Sequence, residues 1–314
     1  MTAALPLAVQ DAFHRFITCE LTTIDTAGCP ITWPVTPFYR PGDDRISVTT
    51  GLGWPKKARD ARRNPKVAML FSDPTGSGIA QPAMVLVQGQ AEVDDPDLDA
   101  NRERYVRDNA AKLGRHVEEM PRAGRFDWYF ARIYIHVRPE RVYLWRGGDC
   151  EAEPELFELA EPSAAQAAPP DVVPARAGSL RRVNELGRRF DTAVLSVVAP
   201  DGYPFSIRVP VTTDRRGREI RIEAHPARTL PLYPGPACIA AHDHHETLDW
   251  SRNFQVRGRL QGDRGGGWTV LPRQVVDGFE LPPVGPLSRA VINFRKIRRF
   301  RQTAKRERLA RQRG

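Results

Sequence analysis

Short apolar runs, broken by glycine- and proline-containing turns, dominate the first half of the chain. Runs near 18–25, 30–39, 45–50, 66–72, 84–93 and 128–145 predict strands, the last as one strand or two. Asp25-Thr26-Ala27-Gly28 and the segment Arg40 to Arg45, "RPGDDR", predict hairpin turns. Helical spacing is confined to 6–15, to a short basic segment at 56–63 and to a longer one at 96–113. Six or more strands joined by hairpins favour a closed antiparallel barrel or a sandwich.

The pattern then repeats. "LTTIDTAGCPITWPVT" (21–36) and "LSVVAPDGYPFSIRVP" (195–210) align without a gap at an offset of 174, placing Leu21 on Leu195, Gly28 on Gly202, Pro30 on Pro204 and Val35 on Val209. "NPKVAMLF" (64–71) corresponds to "GPACIAAH" (235–242), and Val87-x-Gly89 to Val256-x-Gly258. Each copy is read as closing on a mixed apolar and basic run, 132–145 in the first and 290–300 in the second. The Pro- and Ala-rich segment 151–179 reads as a linker. The expected division is a first β unit over 1–150, the linker, a second β unit over 180–302 and a basic tail over 303–314. The fold class expected is mainly β with flanking helices: two tandem six-stranded antiparallel barrels.

Composition trims the functional classes. No apolar run approaches a membrane span. The N-terminus lacks a basic leader and reaches Asp11 early, so the expectation is a cytoplasmic protein. Cys19, Cys29, Cys150 and Cys238 show no paired spacing and read as reduced structural thiols. The net charge is +9, but residues 295–314 hold ten Lys/Arg and one acid, leaving the remainder neutral. Basicity thus belongs to the tail, which argues against a nucleic-acid-binding fold and leaves a solvated, partly helical end or a tail that binds nucleic acid or an anionic surface, with no nucleic-acid partner expected. No dinucleotide fingerprint, Walker motif or nucleophile elbow is present.

The best chemical candidate is "TTGLGWPKKARDARRNPKVAMLF", 49–71. Thr49 and Thr50 end a strand and offer hydroxyls, Gly51 and Gly53 permit close approach, and Pro55 suits the first turn of a helix. Lys56 and Lys57 then crowd a positive helix end, which a bound anion would relieve. A solvated basic helix is the competing reading.

The hairpin "LTTIDTAGCPITWPVTPFY", this block, and "VLVQGQAEV" followed by a long helix together resemble the pyridoxamine-5′-phosphate-oxidase-like split barrels, a superfamily of flavin and deazaflavin oxidoreductases. The resemblance covers nearly all of 10–146 and implies an FMN or coenzyme F-420 site between two barrels. It implies Lys57 at the cofactor phosphate, Thr49 and Thr50 beside it, and Trp33, Pro34, Val35 and Thr36 along the ring system, with Lys56 and Arg59 as further phosphate contacts. A fused tandem implies an intrachain pseudo-dimer, with further homodimerisation open. The second copy lacks the lysine pair and keeps one base, Arg228, so one competent site is expected.

In the second copy, "AAHDHHETLDW" (240–250) stands out. His242 and His244 alternate on a strand-like run and are candidates for the ring or substrate pocket. A metal site and a plain polar loop are the other readings, and no metal is expected. The function implied is hydride or electron transfer between a flavin-type cofactor and a small molecule, with no obligatory acid or base from the chain. The alternative is a non-catalytic flavin, haem or bilin binder on the same fold.

Overall fold

The computed structural model describes residues 5–116, 126–161, 182–227, 229–262, 266–278, 281 and 286–312. Its first half runs α1 (Leu7–Arg15), β1 (Cys19–Ile24), β2 (Pro30–Val35), β3 (Ile46–Gly51), α2 (Lys56–Arg63), β4 (Lys66–Phe71), β5 (Met84–Asp94), α3 (Leu98–Lys112), α4 (Asp127–Phe130), β6 (Arg132–Trp145) and β7 (Glu155–Glu158). The second runs α5 (Val183–Arg189), β8 (Thr192–Val198), β9 (Pro204–Thr213), β10 (Ile220–Ile222), β11 (Gly235–His244), β12 (Ser251–Gly262), β13 (Trp268–Asp277) and α6 (Pro286–Arg311).

The protein is mainly β, with two antiparallel sheets. The first has the order β2-β1-β4-β5-β6-β3, with β7 added beside β6. The second is a closed barrel of order β10-β13-β12-β11-β8-β9. Strand for strand, the six-stranded paths are the same. They differ at the seam. In the second, β10 pairs with both β9 and β13 and closes the ring. In the first, the bridge Phe38–Ser47, beyond the end of β2, is the only link between the edges β2 and β3 among the described residues.

The Val-x-Gly repeat has a shared physical cause. Both glycines sit at a register shift, Gly89 opposite Pro139 and Gly258 opposite Pro272. An added Cβ would lie 2.1 Å from the Arg138 carbonyl oxygen in one copy and 2.2 Å from that of Leu271 in the other. Only glycine lets the backbones approach so closely at the bulge.

Strands β1 and β4 are buried along their whole length, because each of their faces is covered. Val67, Met69 and Phe71 enter the core of the first sheet, while Ala68 and Leu70 join the core shared with the second barrel. At the contact between the sheets, four hydroxyls close a ring. Thr22 meets Thr32 at 2.9 Å and Ser206 at 2.9 Å; Ser196 meets Ser206 at 2.8 Å and Thr32 at 2.7 Å.

Four sequence readings need correction. The run 290–300 is not a closing strand: it lies in α6, and the sixth strand of the second barrel is β13. Its Val-rich segment pairs with β12 over a long ladder, whereas the spacing of apolar residues in 290–300 suits a helix. The segment taken as a linker contributes β7 at Glu155–Glu158; the rest of it, 162–179, lies outside the described residues. The boundary at 302 falls inside α6, so the basic tail continues a helix rather than following the fold. Residues 128–130 belong to α4, ahead of β6.

Candidate functional site

Helix α2 begins after Pro55 with no side-chain cap, leaving its first backbone N–H groups without intrahelical partners. Lys57 lies on this first turn, half-buried. Its ammonium stands 5.7 Å from the centre of the Trp33 ring and has no ion pair or hydrogen bond to any described residue. Burial, and then the charge of Arg132, draw its pKa from 10.5 down to about 8. Arg132, at the start of β6, is sandwiched between Tyr105 at 3.9 Å and Tyr129 at 4.1 Å. Its Nε is buried without a hydrogen-bond partner. Thr49 is half-buried and pairs across to Tyr134, so it shares a face with Arg132 two residues along β6. Two cations with unspent donors, at an uncapped helix end beside the open seam, make a place for an anion.

The rest of the basic block is spent within the protein. Lys56 donates to Asp60 at 2.8 Å. Arg59 pairs with Glu307 of α6, and Arg62 with Asp95 at 2.7 Å, which also receives Arg311 at 2.8 Å. Arg63 donates to the Ile24 carbonyl and to Asp60. Thr50 is fully buried and donates to the Trp54 carbonyl at 2.9 Å. The glycine loop approaches protein rather than an open site. The Leu52 and Gly53 amides donate to Ala131 and Trp128 carbonyls, and a Cβ at Gly53 would come within 2.8 Å of Phe300 on α6. Of the predicted anion contacts, the structure leaves Lys57 and Thr49 available. Arg132, Tyr105 and Tyr129 were missed. Tyr129 and Arg132 fall in the run 128–145 read as strand, and Tyr105 in the predicted helix 96–113, so nothing in the sequence drew them together.

Trp33 and Val35 share one face of β2, and Pro34 lies on the other beside Glu20. Thr36 is half-buried just beyond the strand. On the Pro34 side the structure places His242 and His244, from β11. His242 Nε2 lies 2.6 Å from Glu20 Oε1 and 2.9 Å from Arg208 Nη2. Arg208 also donates to Glu20 and to the Ser72 hydroxyl, both at 2.9 Å. His244 Nε2 meets Thr18 Oγ1 at 2.9 Å. Asp73 Oδ2 lies 3.7 Å from His242 Nδ1 and 3.6 Å from His244 Nε2. Burial opposes the charge on Asp73, but His242, the Thr75 hydrogen bond, Arg208 and His244 together hold its pKa below 3.8. A cavity of about 360 Å³ opens beside this network, lined in part by Arg208, Ser72, Thr192 and Cys150.

The two histidine rings are parallel within 5° and 6.3 Å apart, so their lone pairs do not converge. Among the described residues no group of three His, Cys, Asp or Glu is arranged to hold a metal. For haem, both Nε2 atoms are already engaged with protein. The predicted residues therefore form two separate sets, Lys57–Trp33 and the histidine network, on opposite faces of β2. Arg228 lies outside the described residues.

Solved structures similar to this chain each match roughly half of it. General Stress Protein 26 from Bacillus anthracis is 18% identical and covers 48% of this chain and 96% of its own, with a TM-score of 0.32. A Clostridium acetobutylicum protein of the pyridoxinephosphate oxidase family, related to general stress protein 26, is 10% identical and covers 48% and 92%, with a TM-score of 0.34. An F420 reductase is 20% identical and covers 44% and 98%, with a TM-score of 0.35. No protein-family model and no curated protein matches the chain.

Proposed function

We propose that the chain binds a flavin-type cofactor, FMN or the deazaflavin F-420, and serves hydride or electron transfer with a small molecule. The observation that carries this reading is Lys57: half-buried, without a carboxylate partner among the described residues, over the Trp33 indole and beside Arg132. A cation so placed is costly unless an anion joins it. The residues fit such a group at its anionic end. Lys57, the Thr49 hydroxyl and the first amides of α2 would hold it, with the orphaned Nε of Arg132 behind. The bound ring would supply the redox chemistry. The chain binds and orients it, and the Trp33 to Thr36 edge of β2 gives it a flat border.

The same reading makes the two sheets a pseudo-dimer within one chain. Its supports are the identical strand order and the reciprocal hydroxyl contacts, in which Thr22–Ser206 and Thr32–Ser196 exchange under the 174-residue offset.

The test is the absorbance and mass of the ligand purified with the protein, repeated with Lys57→Ala. FMN gives two bands from the near-ultraviolet to the blue, and the deazaflavin a single dominant one. Loss of a charged hydrogen bond of about 1.5–3 kcal/mol predicts affinity weakened about 10- to 150-fold. Full retention of cofactor by the variant overturns the assignment, and a colourless protein that takes up neither cofactor overturns the function.

A further inference from the structure

Helix α6 has two unlike faces. One is docked on the first sheet. Phe300 packs against Trp54 at 4.8 Å and stacks on Trp128 at 5.6 Å, Ala304 is buried, and Glu307 and Arg311 reach Arg59 and Asp95. At 3.6 residues per turn, Arg298, Arg299, Lys305 and Arg306 fall within an arc of about 120° on the opposite side. All four are exposed, and none has an ion pair or hydrogen bond from its side chain to a described residue. The one acid of residues 295–314, Glu307, is on the docked face, so nothing on the helix neutralises the stripe.

We propose that this stripe is a docking surface for the phosphodiester backbone of a nucleic-acid duplex, bound without reading sequence. The sequence alone left these charges either on a solvated end or on a tail that binds nucleic acid or another anionic surface. The structure fixes them on a helix whose apolar side is already used. Two pairs seven residues apart, Arg298 with Lys305 and Arg299 with Arg306, repeat about 10.5 Å along the axis. Rigid, evenly presented cations complement a polymer carrying one charge per about 1.7 Å. An anionic membrane is the weaker match. An interfacial helix buries an apolar face in lipid, whereas the apolar residues of α6 at Phe300 and Ala304 are covered by its own protein. Among the described side chains of α6, only Phe294 and Leu309 remain as large exposed apolar ones.

The experiment is fluorescence anisotropy of the full chain with labelled, mixed-sequence duplexes of DNA and of RNA, over a range of salt concentrations. Four phosphate contacts predict a log–log salt slope of about −3.5, or binding about 50-fold weaker for a threefold rise in salt. The variant Arg298→Ala/Arg299→Ala/Lys305→Ala/Arg306→Ala leaves the docked face intact. It should keep the wild-type melting curve and lose duplex binding together with its salt slope. The two duplex arms establish which nucleic acid is preferred, and binding of either with this signature supports the proposal. Absence of duplex binding overturns it, as does binding that the variant retains. Capture by phosphatidylserine vesicles without duplex binding overturns it in favour of a membrane.

Discussion

The carboxylate of Asp73 stands between two imidazoles from the other half of the chain, and the sign of its contribution follows from its lowered pKa. The folded chain binds fewer protons at this group than the unfolded chain does. Its stabilisation is therefore complete above its ordinary 3.8 and is lost as pH falls through the folded value. Asp73→Asn should cost about 1.5–3 kcal/mol at neutral pH, and the gap to wild type should shrink on acidification, as read from urea unfolding between pH 6 and 2. None of these partners was legible in the sequence. His242 and Glu20 lie 222 residues apart, and a long-range ion pair leaves no local pattern. What was legible was the alternation that puts His242 and His244 on one side of a strand, and the block spacing that singles out Lys57. The remaining basic residues of that block looked equivalent to Lys57. Lys56 and Arg63 share Asp60 within the block, but the acids of Arg59 and Arg62, Glu307 and Asp95, come from elsewhere in the chain, so only the fold separates Lys57 from the neutralised cations of the block.

The element scale was the most readable. Strand positions through the first half follow the apolar runs closely, because short runs bounded by turn residues leave few alternatives. The failures have a common cause. Arg-rich amphipathic sequence and β-sequence look alike when the helix is also apolar on one side, and this led 290–300 to be read as a strand. The glycine bulges of β5 and β12 are the clearest case of sequence dictating an element's shape. Gly258→Ala places a methyl group 2.2 Å from the Leu271 carbonyl oxygen and should destabilise by about 1–3 kcal/mol, measured as a shift in denaturation midpoint. A surface glycine such as Gly42, with nothing near its Cβ but a φ of +96°, should respond through backbone strain alone and make a useful control.

At the scale of the whole molecule, the repeat predicted two units, and the structure supplies two sheets of matching order. Their asymmetry was not predictable from the alignment. One seam is shut by β10; the other is left open beside Lys57 and Trp33. The molecule is further tied together by α6, which leaves the second half and ends on the first. Phe300→Ala removes the ring that stacks on Trp128. It should cost about 2 kcal/mol, below the full core value because the ring is half-buried, and tryptophan emission should shift to the red as Trp54 and Trp128 meet water. No helix among the described residues is long and apolar enough to cross a membrane.

The docking of α6 also sets an order of events during synthesis. Arg59 and its partner Glu307 are 248 residues apart, and the surface formed by Trp54 and Trp128 waits for the same helix. Trp128 and Phe300 are 172 residues apart, so at 5–20 residues per second that surface stays uncovered on the ribosome for on the order of 9–34 s. The first sheet must spend this interval with an apolar patch exposed and Arg59 unmatched. Chains stalled before α6 should be the ones captured by chaperones or lost to aggregation.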